Sequence, residues 1–243
     1  MGGRRKPKRR SMPGSLLAIA VCVLLLYELG LFAMIVWYKY QNPDSSAFMT
    51  ATLAQLRAAD PHASLQHRWV PYGQISTALK RAVIASEDSN FTGHDGVEWD
   101  AIRQAWAYNL KQEEMGTHRR RGGSTITQQL AKNLFLSDSR SYLRKAQELV
   151  LAYMLELVMS KQRILELYLN LAQWGTNVFG AEAAAKHYYH VNARMLNSYQ
   201  AARLAAMLPR PDYYDHHRDT AYLRGRAHVV ERRMRLVDLP DNS

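Results

Sequence analysis

The chain has 243 residues, and 47% of them are hydrophobic, so it is long enough to bury a core and is not broadly disordered. The first 40 residues hold seven of its 32 basic residues and one of its 21 acids, leaving 25 basic against 20 acidic residues in the remainder. That small excess does not favour nucleic acid as a partner. The single cysteine, Cys22, excludes an intramolecular disulfide.

Residues 15–38 form an apolar stretch without Lys, Arg or Asp. These 24 residues are enough for a helix to cross a hydrocarbon core about 30 Å thick. A cleavable signal peptide is the alternative, but its apolar part usually has about 7–15 residues. Here the stretch is longer and ends in aromatic residues, which are typical of a membrane interface. We therefore predict an uncleaved signal anchor at 15–38, preceded by a basic cytoplasmic tail at 1–14.

One acid, Glu28, lies in the middle of the apolar stretch. A charged carboxylate at that depth costs a few kcal/mol. It has two interpretations: contact with a partner's membrane helix, or the more ordinary case of a protonated carboxyl or a helix shifted in register. The sequence leaves both open, and Glu28 is not included among the site residues.

After the anchor, residues 39–70 are expected to form a linker and membrane-proximal segment with a short helix ending near residue 59. Residues 71–240 are expected to form a folded domain. Apolar residues recur there at helical spacing and few stretches alternate with period two, so we predict a mainly α fold. The predicted helices span 78–86, 99–112, 141–159, 164–171, 181–189, 201–208 and 222–236, with one more from residue 124.

The polar run at residues 122–133 is the most distinctive stretch of the domain. Two glycines permit a tight turn or a close approach of the backbone. Thr125 followed by Gln128 has the spacing of a helix capping box. On such a helix Thr125, Gln128 or Gln129, and Lys132 share one side, which offers hydroxyl, amide and ammonium groups suited to a phosphate or a sugar.

Acidic residues lie on either side of this run. Glu87 and Asp88 fall at the predicted end of the 78–86 helix, where negative charge opposes the helix dipole, so a functional role and a solvated helix end are about equally supported. His94 by itself is more often a structural hydrogen bonder than a catalyst.

Arg144 and Glu148 are four residues apart on a predicted helix, and this spacing alone slightly favours a surface ion pair. Together with Lys132, Arg140 and Lys145, the same residues also suit a pyrophosphate site, since arginine offers forked donors and lysine a point charge.

Five segments together carry a recognisable pattern. They are, in chain order, Glu87-Asp88-x-x-Phe91-x-x-His94-x-Gly96, Gly122-Gly123-Ser124-Thr125-Ile126-Thr127-Gln128-Gln129, Arg144-Lys145-x-x-Glu148, Lys161-x-x-Ile164-Leu165-Glu166-x-Tyr168-Leu169-Asn170 and Phe179-Gly180-Ala181-Glu182-Ala183-Ala184-Ala185. This pattern resembles the motifs of family 51 peptidoglycan glycosyltransferases. The chain has neither Ser-x-x-Lys nor Lys-Thr-Gly, so the transpeptidase signature is absent from it.

The resemblance implies a mainly α, lysozyme-like glycosyltransferase domain preceded by a single transmembrane helix. It implies polymerisation of lipid II with inversion at the donor sugar and release of undecaprenyl pyrophosphate. Glu87 would be the general base, Asp88 would orient that end of the site, and Glu148 would lie near the pyrophosphate. The substrate-binding residues that it implies are Phe91, His94, Ser124, Thr125, Gln128, Gln129, Lys132, Arg140, Arg144 and Lys145.

A divalent cation, Mg or Mn, is compatible with this family, and the sequence does not decide whether one is needed. The resemblance also implies a bacterial inner membrane protein with a cytoplasmic N-terminus and a periplasmic catalytic domain. Its partners would be lipid II, the lipid-linked glycan, the membrane, and cell-division or cell-wall synthesis proteins.

Two other functions stay open at this point. A lysozyme-type, peptidoglycan-cleaving enzyme also uses two carboxylates beside a sugar, but it has no need of the cations around Glu148. A non-catalytic anchored scaffold of the cell-wall machinery has no need of the polar run at 122–133.

Overall fold

The computed structural model describes residues 12–117, 122–136 and 141–241. Helices make up most of this part of the chain, so the prediction of a mainly α fold is confirmed. The α-helices are α1 (Met12–Tyr40), α2 (Ala47–Ala59), α3 (Thr77–Glu87), α4 (Trp99–Glu114), α5 (Ile126–Phe135), α6 (Tyr142–Val158), α7 (Lys161–Leu171), α8 (Ala181–Tyr189), α9 (Ser198–Met207), α10 (Pro211–His216) and α11 (Ala221–Arg233). Short 3₁₀ turns span Tyr72–Gln74, Phe91–Gly93, Ala193–Met195 and Met234–Leu236.

The strands β1 (Gln66–His67) and β2 (Val178–Phe179) form one short parallel pair. Each has two residues, too few to show an alternating pattern in the sequence. The pair ties the membrane-proximal segment to the domain.

The anchor is the longest helix, and its segment Gly14–Tyr40 is long and apolar enough to cross a membrane, with a mean hydropathy of 2.6. These 27 residues extend about 40 Å, more than the roughly 30 Å of a hydrocarbon core. The basic tail predicted at 1–14 lies outside the described residues up to residue 11.

Six of the described α-helices follow a hydroxyl side chain that accepts a hydrogen bond from the backbone three residues later. Ser76 caps α3, and Ser160 caps α7, so α7 begins three residues before the predicted 164. Helix α9 likewise begins at Ser198 rather than 201 because Asn197 and Gln200 form a capping box. Apolar spacing alone does not detect these polar first turns.

Helix α5 lies at the centre of the domain and packs against α2, α6 and α7, while α3, α9 and α11 pack together beside it. Ile126 and Leu130 of α5 have no exposed surface. The side chains of Trp174 and Tyr168 are the largest of the fully buried ones in this core. The polar side of α5 is therefore held in place by the closely packed core around the helix.

Helix α4 is the exception, since Ala105 is its one buried residue within the described chain. Its large apolar side chains are exposed instead, at Trp99, Trp106, Tyr108 and Leu110. It lies against the segment that enters α5, described next.

Candidate active site

The approach to α5 is fixed by a close contact with α4. A methyl group on Gly123 would lie 3.0 Å from the Cα of Ile102 and 3.1 Å from the carbonyl oxygen of Ala101. Nothing lies within 4 Å of the same position on Gly122. Of the two glycines, position 123 is therefore the one where a larger residue would push α4 away.

The start of α5 is the predicted capping box, and that prediction is confirmed. The Gln128 backbone N–H donates to the Thr125 hydroxyl at 3.1 Å, and the Thr125 N–H donates to the Gln128 amide oxygen at 2.9 Å. The Thr125 hydroxyl also donates to the Gly96 carbonyl at 2.6 Å. Thr125 and Gln128 are buried and form the helix start in this conformation, and the ligand contacts predicted for them stay predictions. Ser124 is exposed and Gln129 is half-buried, so these two remain accessible on this run.

Glu87 is the last residue of α3 and is half-buried. The Gln129 side-chain amide donates to one carboxylate oxygen at 3.0 Å, and the Ser86 hydroxyl donates to the other at 3.2 Å. The hydroxyl of Tyr168, buried on α7, donates to the Gln129 amide oxygen at 2.9 Å and fixes which end of the amide faces Glu87. Burial raises the pKa of the Glu87 carboxyl, while the bonds from Gln129 and Ser86 and the charge of Arg226 oppose that rise.

Asp88 follows immediately but faces the start of α5. Its carboxylate accepts the Ile126 backbone N–H at 2.9 Å, where the positive end of the helix dipole favours negative charge. It also accepts from the His94 Nε2 at 3.0 Å, since the His94 Nδ1 accepts the Gly96 N–H at 3.1 Å and leaves Nε2 as the donor. The side chains of Asp88 and His94 are only 1% and 6% exposed, and together they join the end of α3 and the His94 loop to the start of α5. The ligand contact predicted for His94 stays a prediction.

Glu148 holds two cations on one side of α6. Arg144 donates to one carboxylate oxygen at 3.1 Å, and Lys145 bonds to the other. The surface ion pair that spacing slightly favours is wrong in one respect, because the Glu148 side chain is only 5% exposed. Lys145 also donates to the Ser124 hydroxyl at 3.2 Å, which brings this group to the start of α5. One carboxylate against two cations leaves a net charge of about +1.

Glu87 and the group around Glu148 therefore contact opposite ends of the segment 124–129. Glu87 bonds to Gln129, and the Glu148 group bonds to Ser124, just before the helix. Residues 125 and 129 are separated by a helical rise of about 6 Å. A half-buried carboxylate and a cationic group thus both contact the short segment 124–129.

Two other predicted binding residues, Phe91 and Lys132, make contacts outside this group, and a third is not among the described residues. Phe91 has no exposed surface, and its ring packs under the Lys161 ammonium at 4.7 Å, so it supports the loop, and the substrate contact predicted for it stays a prediction. The Lys132 ammonium lies 5.4 Å from the centre of the Phe48 ring on α2, away from the bonds that hold Glu148, and its predicted role stays a prediction. Arg140 lies outside the described residues.

The family model described as transglycosylase matches residues 52–235, which is well over half of the chain. The chain belongs to the transglycosylase family. It is 63% identical over 227 residues to a biosynthetic peptidoglycan transglycosylase of Bordetella avium (strain 197N), covering 93% of this chain and 95% of that protein. A protein of the same description from Herminiimonas arsenicoxydans is 53% identical over 225 residues, covering 93% of this chain and 96% of its own length.

Among the residues that the structure describes, the groups that come closest to a metal site in this transglycosylase do not fit a resident divalent cation. Asp88, His94 and Glu98 bring possible ligand atoms within 4.8 Å of one another. However, both His94 ring nitrogens and the Asp88 carboxylate are already used in the bonds described above, and Glu98 accepts from the Asn90 amide at 3.2 Å. Glu148 is already neutralised by its two cations. A cation at either place would have to displace bonds that hold the fold together.

The transglycosylase site also includes a support that sequence reasoning missed. Glu156 on α6 accepts from the Thr127 hydroxyl at 2.6 Å and from the Lys161 ammonium at 2.8 Å, and Lys161 donates to the His94 carbonyl. This bridge ties α5, α6 and the His94 loop together. Lys161 belongs to one of the five motifs. Glu156 looks in the sequence like any acidic residue of a helix, so nothing there predicts its role.

Proposed function

We propose that the chain polymerises lipid II into β-1,4-linked glycan strands, using a growing strand on undecaprenyl pyrophosphate as donor. One observation carries this proposal. The half-buried Glu87 carboxylate, whose pKa is raised, and the cation cluster around Glu148 both contact the short segment 124–129. Family membership supports the same reaction, since the relatives are named as biosynthetic peptidoglycan transglycosylases.

Glu87 is the proposed general base. It takes the proton of the acceptor 4-hydroxyl as the oxygen forms a bond to C1 of the donor sugar. A raised pKa strengthens the base, and the donors Gln129 and Ser86 keep it ionised and aimed. Attack occurs on the face opposite the leaving group, so the α-linked donor becomes a β-linked product.

The cluster of Arg144, Lys145 and Glu148 is proposed to receive the leaving pyrophosphate. As the bond from C1 to the phosphate oxygen breaks, that oxygen keeps the electron pair and its negative charge grows. The Lys145 side chain is 39% exposed, so its ammonium is open to the phosphate while Glu148 keeps both cations in place. Such fixed charges lower the barrier where charge develops.

The anchor supports a lipid-linked substrate. A single apolar helix near the N-terminus suits attachment to the membrane. We propose that it crosses the bacterial inner membrane once, with the basic tail in the cytoplasm and the domain in the periplasm. Lipid-linked donor and acceptor would then diffuse in the same membrane as the enzyme, and cell-wall synthesis proteins would be neighbours.

The test is turnover of labelled lipid II by the purified full-length chain in lipid vesicles. We expect a lysozyme-sensitive polymer, and Glu87→Gln is expected to lower its rate at least about 100-fold while the fold is retained. Glu231→Gln, which changes a carboxylate that faces His228, is the matched control and is expected to polymerise normally. Near-normal glycan strands from Glu87→Gln would refute Glu87 as the general base. If the wild type cleaves glycan and makes no polymer, the protein is a hydrolase. If it shows neither activity, it is a scaffold.

A further inference from the structure

The anchor is more than a tether, because its second half is part of the folded domain. Ile35 has no exposed surface, and Leu31 is 9% exposed. The Tyr38 carbonyl accepts two bonds from the Arg163 guanidinium, at 2.8 and 3.1 Å. Helix α1 packs along α6, the helix that carries Glu148. The position of the anchor and that of the cation cluster are therefore mechanically linked.

Glu28 makes a polar contact in this interface. Its carboxylate accepts a hydrogen bond from the Gln147 side-chain amide at 3.1 Å. Glu28 lies 12 residues before the end of α1 at Tyr40, about 18 Å along the helix. Residues 14–27 alone would extend only about 21 Å, which is less than the roughly 30 Å of a hydrocarbon core. If α1 crosses a bilayer, the Glu28–Gln147 bond therefore lies inside the apolar layer.

The exposed side of α6 suits that depth. Leu143 and Leu157 are 84% and 79% exposed, and Val150 and Tyr153 lie exposed between them. These side chains are unfavourable in water and favourable against lipid. Among such neighbours an unpaired carboxyl or amide is strongly unfavourable, so Glu28 and Gln147 each satisfy the other.

Gln147 and Glu148 are adjacent on α6 and point about 100° apart around the helix. One faces the anchor, and the other faces the start of α5. We propose that Glu28 is a positioning residue whose bond with Gln147, made inside the apolar layer, holds α6 and its cation cluster at a fixed depth relative to the lipid-linked substrate. This inference rests on the proposed function for its substrate, and it replaces the contact with a partner's membrane helix that the sequence left open for Glu28.

The first test needs no activity. In a Cys22→Ser background, Glu28→Cys combined with Gln147→Cys is placed in lipid vesicles and treated with a short thiol cross-linker. We expect efficient intramolecular cross-linking, detected as a mobility shift after proteolysis between the two sites. Glu28→Cys with Ala146→Cys is the control, since Ala146 is exposed and turned away around α6. Equal yields from both pairs, or none from the first, would overturn the docking.

The second test separates positioning from chemistry. Glu28→Leu leaves the Gln147 amide unpaired, and we expect KM for vesicle-borne lipid II to rise about tenfold with kcat within about twofold of wild type. Glu28→Gln still accepts the bond and is expected to behave as wild type. Glu28→Leu with Gln147→Leu removes both polar groups and is expected to recover most of the loss.

A short-chain lipid II analogue in detergent supplies the contrast, because depth in a bilayer does not matter there, and KM is expected to be unchanged by Glu28→Leu. A wild-type KM for Glu28→Leu in vesicles, or a Glu28→Gln variant as impaired as Glu28→Leu, would refute the inference. Failure of the wild type to polymerise would instead refute the proposed function and leave the cross-linking result standing.

Discussion

The bond from Gln129 to Glu87 makes a sharp prediction about the pH dependence of polymerisation. Gln129→Leu removes the donor at 3.0 Å and leaves burial unchanged. Burial raises the pKa of Glu87, and the Gln129 bond opposes it, so the pKa is expected to rise further when the bond is lost. A hydrogen bond to a charged group contributes about 1.5–3 kcal/mol, which corresponds to a shift of about 1–2 pH units.

The direction follows from the role of the base. Glu87 must be ionised to accept a proton, so activity is lost as the pH falls through its pKa. A higher pKa moves this acidic limb of the pH profile to higher pH. On acidification we expect the kcat/KM of Gln129→Leu to fall at a pH about 1–2 units higher than that of the wild type. The rate at high pH is expected to change less, because the carboxylate is then ionised in both proteins.

Two controls make the result decisive. Gln55→Leu alters an exposed glutamine of α2 and is expected to leave the limb where it is. Tyr168→Phe removes the donor that orients Gln129 and is expected to shift the limb in the same direction by a smaller amount. An acidic limb that does not move in a folded Gln129→Leu protein would refute Glu87 as the titrating base.

Three further changes test the cation cluster, the close packing at Gly96 and the buried Asp215 of α10. Lys145→Ala removes the exposed ammonium of the cluster and is expected to lower kcat for lipid II about 10- to 1000-fold, measured as glycan formed per unit time. Gly96→Ala places a side chain on a backbone with a φ of 87° and puts a methyl group 2.9 Å from a side-chain carbon of Glu156 on α6. We expect the free energy of unfolding, measured in urea, to fall by about 1–3 kcal/mol. Gly73→Ala, where nothing lies within 4 Å, is the unstrained control. Burial acts to raise the pKa of Asp215, but its hydrogen bonds outweigh burial and lower the pKa to about 2. The stabilisation that ionised Asp215 contributes is therefore present above the ordinary aspartate pKa and is lost as the pH falls from about 4 to 2. The difference in unfolding temperature between wild type and Asp215→Asn is expected to close over that range, whereas exposed Asp219→Asn is expected to show little difference at any pH.

The sequence by itself determined most of the helices, the apolar anchor stretch and the chemistry of the motif residues, but it did not predict the six-residue α10, which begins in a Pro-Arg-Pro run. Apolar spacing decides which side of each helix is buried, and the Thr125–Gln128 capping box is local enough to be read from two residues three apart. The motif order identified the family, and the family match over residues 52–235 bears that out. Local patterns suffice for these features because the interacting groups are close together along the chain.

Only the tertiary structure decided which polar residues of the motifs are accessible. Asp88 bonds to the backbone of Ile126, 38 positions away, and Gln147 bonds to Glu28, 119 positions away. Bonds of this kind depend on how whole helices pack, and packing depends on the summed burial of many side chains rather than on any one pattern. For the same reason Thr125 and Gln128, which look like ligand contacts in the sequence, are buried parts of a helix start, while Ser124 and Gln129 beside them stay open.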